Sequence, residues 1–484
     1  MSPPTAPAYG RARATLPKLQ PVTEALAQLP EPSAPADAYR TLRARLLDSG
    51  TKLAVIDDDP TGTQVIADVP IVTAWDDADL TWALDQPSSV FFVLTNSRSM
   101  QEPRAVRINR EIGQRLGRLA SARGLSLRCV SRSDSTLRGH FPAECDALID
   151  GLEASGLRVD GTILCPAFFS AGRYTIDDVH YVLDGDALVP VAETEFASDR
   201  TFGYTESNLV EWAVERGVER SHIRSLELGE LRRRGTAYVV ERLRALGGGV
   251  MIANAADPDD LLVLSLGLDQ LERDGMNFVY RSGPSFPAIR AGIEPRSPLT
   301  PDQIETGTGH GLVVVGSHTR LTTLQLERAR SEHELEIVEL DARRLREGAD
   351  EVRRCIDALG AALADGDAAL ITSREVVGGE SAADSLQIAG QVADALVEVV
   401  ASLRERPLAW TIAKGGITSS DIAVRAFRAT RAQVVGQLFP NLVSLWRLDD
   451  DSLRPGMPYV VFPGNVGDQS SLSAVLRTLK AACR

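Results

Sequence analysis

The chain has 484 residues, 44% of them apolar and 24% charged, with a formal net charge of −14. That length exceeds one ordinary core and predicts two or three globular domains. The acidic balance excludes nucleic acid as a bulk electrostatic partner, and without an apolar run of about 18 residues no membrane partner is expected.

Five cysteines (Cys129, Cys145, Cys165, Cys355, Cys483) form no Cys-x-x-Cys pair, and six histidines form no His-x-x-x-His. Reduced thiols in a cytoplasmic protein are expected, with neither a disulfide framework nor a zinc site. Residues 1–37 are rich in Pro and Ala and mix Arg11, Arg13 and Lys18 with Glu24 and Glu31. They read as a flexible or loosely docked N-terminal extension rather than a transit or secretory peptide.

A short helix at 39–47 leads into an apolar strand, Leu53-Ala54-Val55-Ile56, which spills into Asp57-Asp58-Asp59-Pro60-Thr61-Gly62-Thr63-Gln64. In open α/β sheets ligands bind at the C-terminal ends of strands. Three consecutive acids repel one another, so a fold that gathers them there must neutralise them with a metal ion, a basic side chain or a shared proton. A strand at 69–74 comes next, then one at 89–94 that opens onto Thr95-Asn96-Ser97-Arg98-Ser99.

A helix at 103–123 shows apolar positions near the 3.6 period. The strand at 125–130 then delivers Ser131-Arg132-Ser133-Asp134-Ser135-Thr136-Leu137-Arg138, a dense set of anion-binding donors around an acid. A helix at 142–154 and a strand at 161–165 lead to Pro166-Ala167-Phe168 and Gly172-Arg173. Strand and helix alternate as in a parallel sheet, whose polar strand ends converge on one crevice. A hairpin within 177–199 turns at Asp184-Gly185-Asp186, and helices are expected at 205–216, 235–245 and 258–273, with strands at 249–253 and 278–280.

Residues 293–310 lose apolar periodicity and read as the linker between a first domain, 38–292, and a second, 311–484. The second half opens on a strand ending at Gly316-Ser317, followed by a helix at 321–331, a strand at 336–340, a helix at 349–364, a strand at 368–373 and a helix at 383–404. The strand at 408–412 ends in Lys414-Gly415-Gly416-Ile417-Thr418-Ser419 before a helix at 422–429, and the last strand, 459–462, ends in Pro463-Gly464-Asn465-Val466-Gly467. Freed glycine amides, hydroxyls, a lysine and a helix start suit phosphate, although the spacing is not that of a Walker A loop.

Taken in order, Asp58-Asp59-Pro60-Thr61-Gly62, Asp134-Ser135-Thr136-Leu137-Arg138-Gly139, Pro166-Ala167-Phe168 with Gly172-Arg173, Gly316-Ser317, Gly415-Gly416-Ile417-Thr418-Ser419 and Gly464-Asn465-Val466-Gly467 give a chain that resembles the four-carbon acid sugar kinase family. The resemblance covers roughly residues 52–477. It implies an α/β protein of two domains, each a mainly parallel sheet flanked by helices. An acid-sugar-binding first domain and an ATP-binding second domain would enclose the active site in the cleft between them.

By position, the ATP contacts fall on Ser317, Gly415, Gly416, Ile417, Thr418 and Gly464, with Mg²⁺ as the second cofactor. Phosphoryl transfer needs a carboxylate to deprotonate the attacking hydroxyl. Asp58 is the expected base and Asp59 a metal-side or orienting acid, with Asp134 a rival for either role. Arg132, Arg138 and Arg173, with Ser135, are the expected grip on the substrate carboxylate, because a guanidinium meets a carboxylate with two parallel hydrogen bonds.

The chain departs from the family pattern at Pro60 and Gly62-Thr63-Gln64, has Arg132 where lysine is usual, and has Ile417 where glutamate is common. The expected reaction is ATP-dependent phosphorylation of a hydroxyl, at the chain end, of threonate, erythronate or 3-oxo-tetronate, by a cytoplasmic enzyme for which a homodimer is left open. A nucleotide-dependent dehydrogenase is the alternative of another class, although no Gly-x-Gly-x-x-Gly follows a strand. A non-catalytic regulator that binds ATP or a sugar acid would keep the pockets and drop the role of the acids.

Overall fold

The computed structural model describes residues 20–483 except 28, 60, 64–65, 349, 375–381 and 440–441. Residues 1–19 of the expected extension, Pro60 and Gln64 of the acid loop, Ala349 and Arg484 therefore lie outside the described residues.

The apolar runs become strands: β1 (Gln20–Pro21), β2 (Thr51–Asp57), β3 (Val69–Val72), β4 (Val90–Leu94), β5 (Ser126–Arg132), β6 (Thr162–Cys165), β7 (Arg173–Ile176), β8 (Val179–Asp184), β9 (Ala187–Pro190), β10 (Ile223–Leu226), β11 (Val250–Ala253) and β12 (Val279–Ser282). The second half adds β13 (His310–Val315), β14 (Glu336–Leu340), β15 (Ala368–Thr372), β16 (Leu408–Lys414), β17 (Arg431–Phe439), β18 (Val443–Leu448) and β19 (Pro458–Phe462). Strands β2 and β16 are buried at all seven positions, which requires cover on both faces of the sheet.

Among the described residues, fifteen strands form one sheet in the order β10-β11-β6-β12-β5-β2-β4-β3-β17-β18-β19-β16-β13-β15-β14. The block from β10 to β3 is parallel throughout, as is the block from β19 to β14. The two expected parallel sheets are thus present, but as two blocks of one sheet. Antiparallel pairing of β17 with β3, β17 with β18, and β18 with β19 joins them. This bridging ladder is missing from the predicted elements. In β17 buried and half-buried residues mostly alternate, without the long apolar run that marks the other strands.

Three antiparallel steps reverse the strand direction, so in a flat sheet the C-terminal ends of the two blocks would lie at opposite edges. Between β2 and β16, however, the order runs through β4, β3, β17, β18 and β19. Six steps at about 20–25° each turn the strand direction by roughly 120–150°, which undoes most of that reversal. The β17–β18 register also shifts twice, between Val434 and Gly436 and between Gln437 and Phe439, and such bulges add twist.

Helices confirm some boundaries and move others. Pro258–Arg273 starts where predicted, because Asp257 and Asp260 form a capping box. The helix expected from 205 begins at Leu209, since the Asn208 carboxamide oxygen accepts from the amides of Val210 (3.0 Å) and Glu211 (3.3 Å). The helix expected from 422 starts at Gly416 and passes into a π-helical turn, Ile422–Ala426.

Within the segment expected as a flexible extension, the described residues have fixed partners. Strand β1 pairs with β9 of a separate four-stranded sheet, β1-β9-β8-β7. Val22, Ala25, Leu26 and Leu29 pack on its apolar cluster, the Arg232 guanidinium donates to the Pro30 carbonyl at 2.8 Å, and the Ala34 amide donates to Asp259 at 3.0 Å. The expected linker is docked too, with the Leu299 amide on the Gln437 carbonyl (2.7 Å) and that of Gly307 on the Ala409 carbonyl (2.9 Å).

Candidate active site

Register sets the first wall of the site. Asp57, the last residue of β2, lies beside Leu94 on β4 and Arg132 on β5, while Arg132 lies beside Ser282 on β12. Four strand ends are therefore level. The Arg132 guanidinium donates to Asp57 Oδ1 at 2.7 Å, and both side chains are buried. Burial pushes the Asp57 carboxyl up to about 7, against the pull of Arg132 and with the repulsion of Asp58 and Asp59 behind it.

Arg98 binds the next two acids at once. Its guanidinium donates to both oxygens of Asp58 and, at 3.0 Å, to Asp59 Oδ2. Ser133 Oγ also donates to Asp58, and Asp59 accepts from the Thr61 amide (2.8 Å) and hydroxyl (2.7 Å). Burial opposes ionisation of Asp59, but Arg98 and Arg132 outweigh it and hold the carboxyl below its usual range. Two arginines, Arg98 and Arg132, thus answer three acids. Asp59, 27% exposed, is the most open of the three.

Asp134 is held low by Arg98 and Arg138 despite its burial. It accepts from Arg138 Nε at 2.7 Å and from Thr136. Arg138 and Arg173 both lie over the Phe196 ring, at 5.2 Å and 5.7 Å. These two predicted arginines are brought together near Asp134, whereas Arg132 is turned into the interior toward Asp57. Ser135 is buried, and its carbonyl accepts from His180 Nε2 at 2.7 Å.

Arg98 and Glu144 are absent from the predicted set. Glu144 is buried, accepts from Ser97 Oγ, and is raised by burial and by Asp58. Position after a buried strand is the signal that could have found Arg98, since it emerges from β4 next to the acid loop. An open cavity lined by Arg98, Met100, Gly139, His140 and Phe202 borders this cluster.

The second wall is level as well: Val315 on β13 pairs with Lys414 on β16, which pairs with Phe462 on β19. Gly316-Ser317, Gly415-Gly416 and Pro463-Gly464 consequently leave the sheet side by side. The contacts are close. A Cβ on Gly316 would fall 2.2 Å from Thr418 Oγ1, and one on Gly464 would fall 2.7 Å from Ser317 Oγ. Gly415 has φ of 121°, a conformation that side chains disfavour. Thr319 and Thr322 hydroxyls donate to the Gly464 carbonyl at 3.0 Å and 2.8 Å, and Ile417 is 60% exposed at the turn.

The two walls meet. The atom nearest to a Cβ on Gly416 is the Thr61 methyl of the acid loop, at 3.9 Å. Thr63, two residues on, accepts from Trp446 Nε1 at 3.0 Å and pairs with Ser444 Oγ at 3.0 Å, both on the bridging strand β18. The close approach of glycine backbone and the hydroxyls of Ser317, Thr319, Thr322 and Thr418 are a chemistry that suits phosphate groups. Among the described residues no three His, Cys, Asp or Glu side chains are grouped to hold a metal. Mg²⁺ often takes only one or two carboxylates and fills its shell with phosphate oxygens and water, so the residues present are compatible with it. Also among the described residues, no helix is long and apolar enough to cross a membrane.

Comparison with known proteins divides the chain in the same way. Residues 53–290 match a sugar-binding N-terminal domain family and residues 312–472 a nucleotide-binding C-terminal domain family. The D-threonate kinase of Salmonella typhimurium is 28% identical over 219 residues, which is 44% of this chain and 45% of that protein. The chain thus spans less than half the length of this curated relative. A crystal structure of a Haemophilus influenzae protein superposes with a TM-score of 0.62 at 19% identity, covering 88% of this chain and 100% of that one. One from Salmonella typhimurium gives 0.66 at 17% identity, covering 88% and 99%. At these identities the two structures speak for the fold.

Proposed function

We propose, because this chain belongs to the four-carbon acid sugar kinase family, that it transfers a phosphoryl group from ATP to a hydroxyl, at the chain end, of a four-carbon sugar acid such as threonate, erythronate or 3-oxo-tetronate. The observation that carries this reading is the approach of the acid loop to the glycine turn, where the Thr61 methyl lies 3.9 Å from the place a Cβ on Gly416 would occupy. Proximity of a carboxylate-rich wall to a glycine-rich one supports the reading, since transfer needs two bound substrates side by side.

In this reading Arg98, Arg138 and Arg173 grip the substrate carboxylate, and Ser135 belongs to the same loop. The substrate competes with Asp58 for the Arg98 fork, and Asp58, released from it, takes the proton of the attacking hydroxyl. Arg132 is reserved for Asp57 and keeps the loop in shape, while Asp134 fixes Arg138. Ser317, Gly415, Gly416, Thr418 and Gly464 hold the nucleotide, with Ile417 offering apolar surface beside them. Mg²⁺ supplies charge neutralisation on the phosphate oxygens, and Asp59 is the acid that would hold it.

The test is ADP formation against a panel of four-carbon acids with and without Mg²⁺. Turnover should require both the acid and the metal, and Asp58→Asn should lower it by about 10²–10⁴-fold while nucleotide binding stays. A panel that yields no ADP, or an Asp58→Asn protein as fast as the parent, contradicts the reading.

A further inference from the structure

Lys414 closes β16 at the centre of the second wall. Its side chain is fully buried, its Nζ donates to the Pro463 carbonyl at 3.1 Å, and it lies 3.9 Å from the centre of the Phe462 ring. Arg374, two residues past the end of β15, faces the same place from the other side of β13. Its Nη1 donates to the Ser317 carbonyl (2.6 Å), its Nη2 to the Thr319 carbonyl (3.4 Å) and the Thr323 hydroxyl (2.9 Å), and its Nε to that hydroxyl (3.2 Å). Among the described residues, every acceptor of these bonds is neutral. Glu339 acts on Arg374 from a distance and makes no ion pair with it.

Some interior cations are matched by an acid, Arg132 by Asp57, Arg232 by Asp260 and Arg290 by Glu272, whereas Lys52 and Arg454, remote from the glycine turns, are held like Lys414 by backbone carbonyls. A buried cation without an anion is costly, and two near each other are costlier. Burial, and then the Arg374 charge, pull the Lys414 ammonium down to about 7. His318, in the loop that Arg374 holds, is lowered by burial and by the same guanidinium. Lys414 and Arg374 thus place two positive charges beside the three glycine ends.

We infer that Lys414 and Arg374 form a cation pair that selects the polyphosphate chain of the nucleotide, Lys414 from behind the Gly415 and Gly464 turns and Arg374 by shaping the Ser317–Thr319 loop. The inference rests on the nucleotide reading of this wall and adds to it which part of the nucleotide is recognised. Lys414 is a positioning residue: it reaches the phosphates through the Pro463 carbonyl and through its field, which a low-dielectric interior leaves unscreened. A bound polyanion stabilises the charged ammonium, so binding near neutral pH takes up a proton.

Titration calorimetry with ATP, ADP, AMP, adenosine and inorganic tripolyphosphate, in two buffers of different ionisation enthalpy, tests this. In the parent protein affinity should fall with each phosphate removed, and ATP binding should draw in a proton. Lys414→Met should weaken ATP about tenfold or more, leave adenosine unchanged and abolish the proton uptake. Arg374→Gln, at a half-buried position, should weaken ATP similarly and reduce the uptake, because Lys414 is then charged beforehand. Lys414→Met and Arg374→Gln proteins that keep the parent's affinity for ATP and its dependence on phosphate number overturn the inference. Parent protein that binds tripolyphosphate but no adenine nucleotide supports the cation pair and overturns the ATP reading instead.

Discussion

The acid loop after β2 and the glycine turns after β13, β16 and β19 both leave the sheet at level strand ends, yet they are held in different ways. The first is fixed by side-chain ion pairs, Arg132 to Asp57 and Arg98 to Asp58 and Asp59. The second is fixed by backbone approach and hydroxyls, with Thr319 and Thr322 on the Gly464 carbonyl. A wall of paired charges can give up an arginine to a substrate carboxylate, whereas a wall of close-packed backbone offers amides and hydroxyls with Lys414 and Arg374 behind them. The difference suits one wall to a small acid and the other to a polyphosphate.

Glycine substitutions should break this comparison most sharply. A Cβ on Gly62 would fall 1.7 Å from Asp57 Oδ2 and 2.4 Å from Arg132 Nη1, so Gly62→Ala splits a buried ion pair. It should cost about 3–5 kcal/mol in urea unfolding. Gly416→Ala meets nothing nearer than 3.9 Å and should stay within about 0.5 kcal/mol of the parent. Equal losses would mean that Gly416 is packed as tightly as Gly62.

Thr63 tests the joint between the walls. Thr63→Val removes the acceptor of the Trp446 indole N–H and leaves that buried donor unsatisfied. A loss of about 1–3 kcal/mol is expected; a neutral outcome would show that the acid loop does not depend on β18.

A pH slope sharpens the account of the first wall. Asp57 is raised to about 7 in the folded protein, so its contribution is fully present below the ordinary carboxyl range near ~4 and is lost as pH rises through about 7. Asp59 and Asp134 are depressed, and their contributions run the other way, being lost on acidification. In metal-free buffer, the stability of the parent relative to Asp57→Asn should therefore fall between about pH 4 and 7 and level off above. A difference that rises over that window would contradict the assigned direction.

Much of the site is legible in the sequence because buried parallel strands announce their own ends. Apolar runs stop at Asp57, Leu94, Val315 and Phe462, and each gives way to polar or glycine-rich loop residues. Arg98 escapes notice because one arginine after a strand looks like any surface charge until its fork is seen across Asp58 and Asp59. The β17–β18 ladder escapes because its mixed pattern lacks an apolar run, and with it the single sheet and its accumulated twist are hidden. Residues 20–37 look unstructured because what fixes them is pairing with β9 and hydrogen bonds to Arg232 and Asp259, partners about 150 or more positions away.

A crystal structure with a non-hydrolysable ATP analogue, Mg²⁺ and a four-carbon acid tests the central claim most directly. The terminal phosphate should lie among the turns at Ser317, Gly415 and Gly464, with a substrate hydroxyl roughly 3–3.5 Å from it on the side of Asp58. Nucleotide and acid found in separate openings, with Thr61 and Gly416 bordering neither, would contradict it.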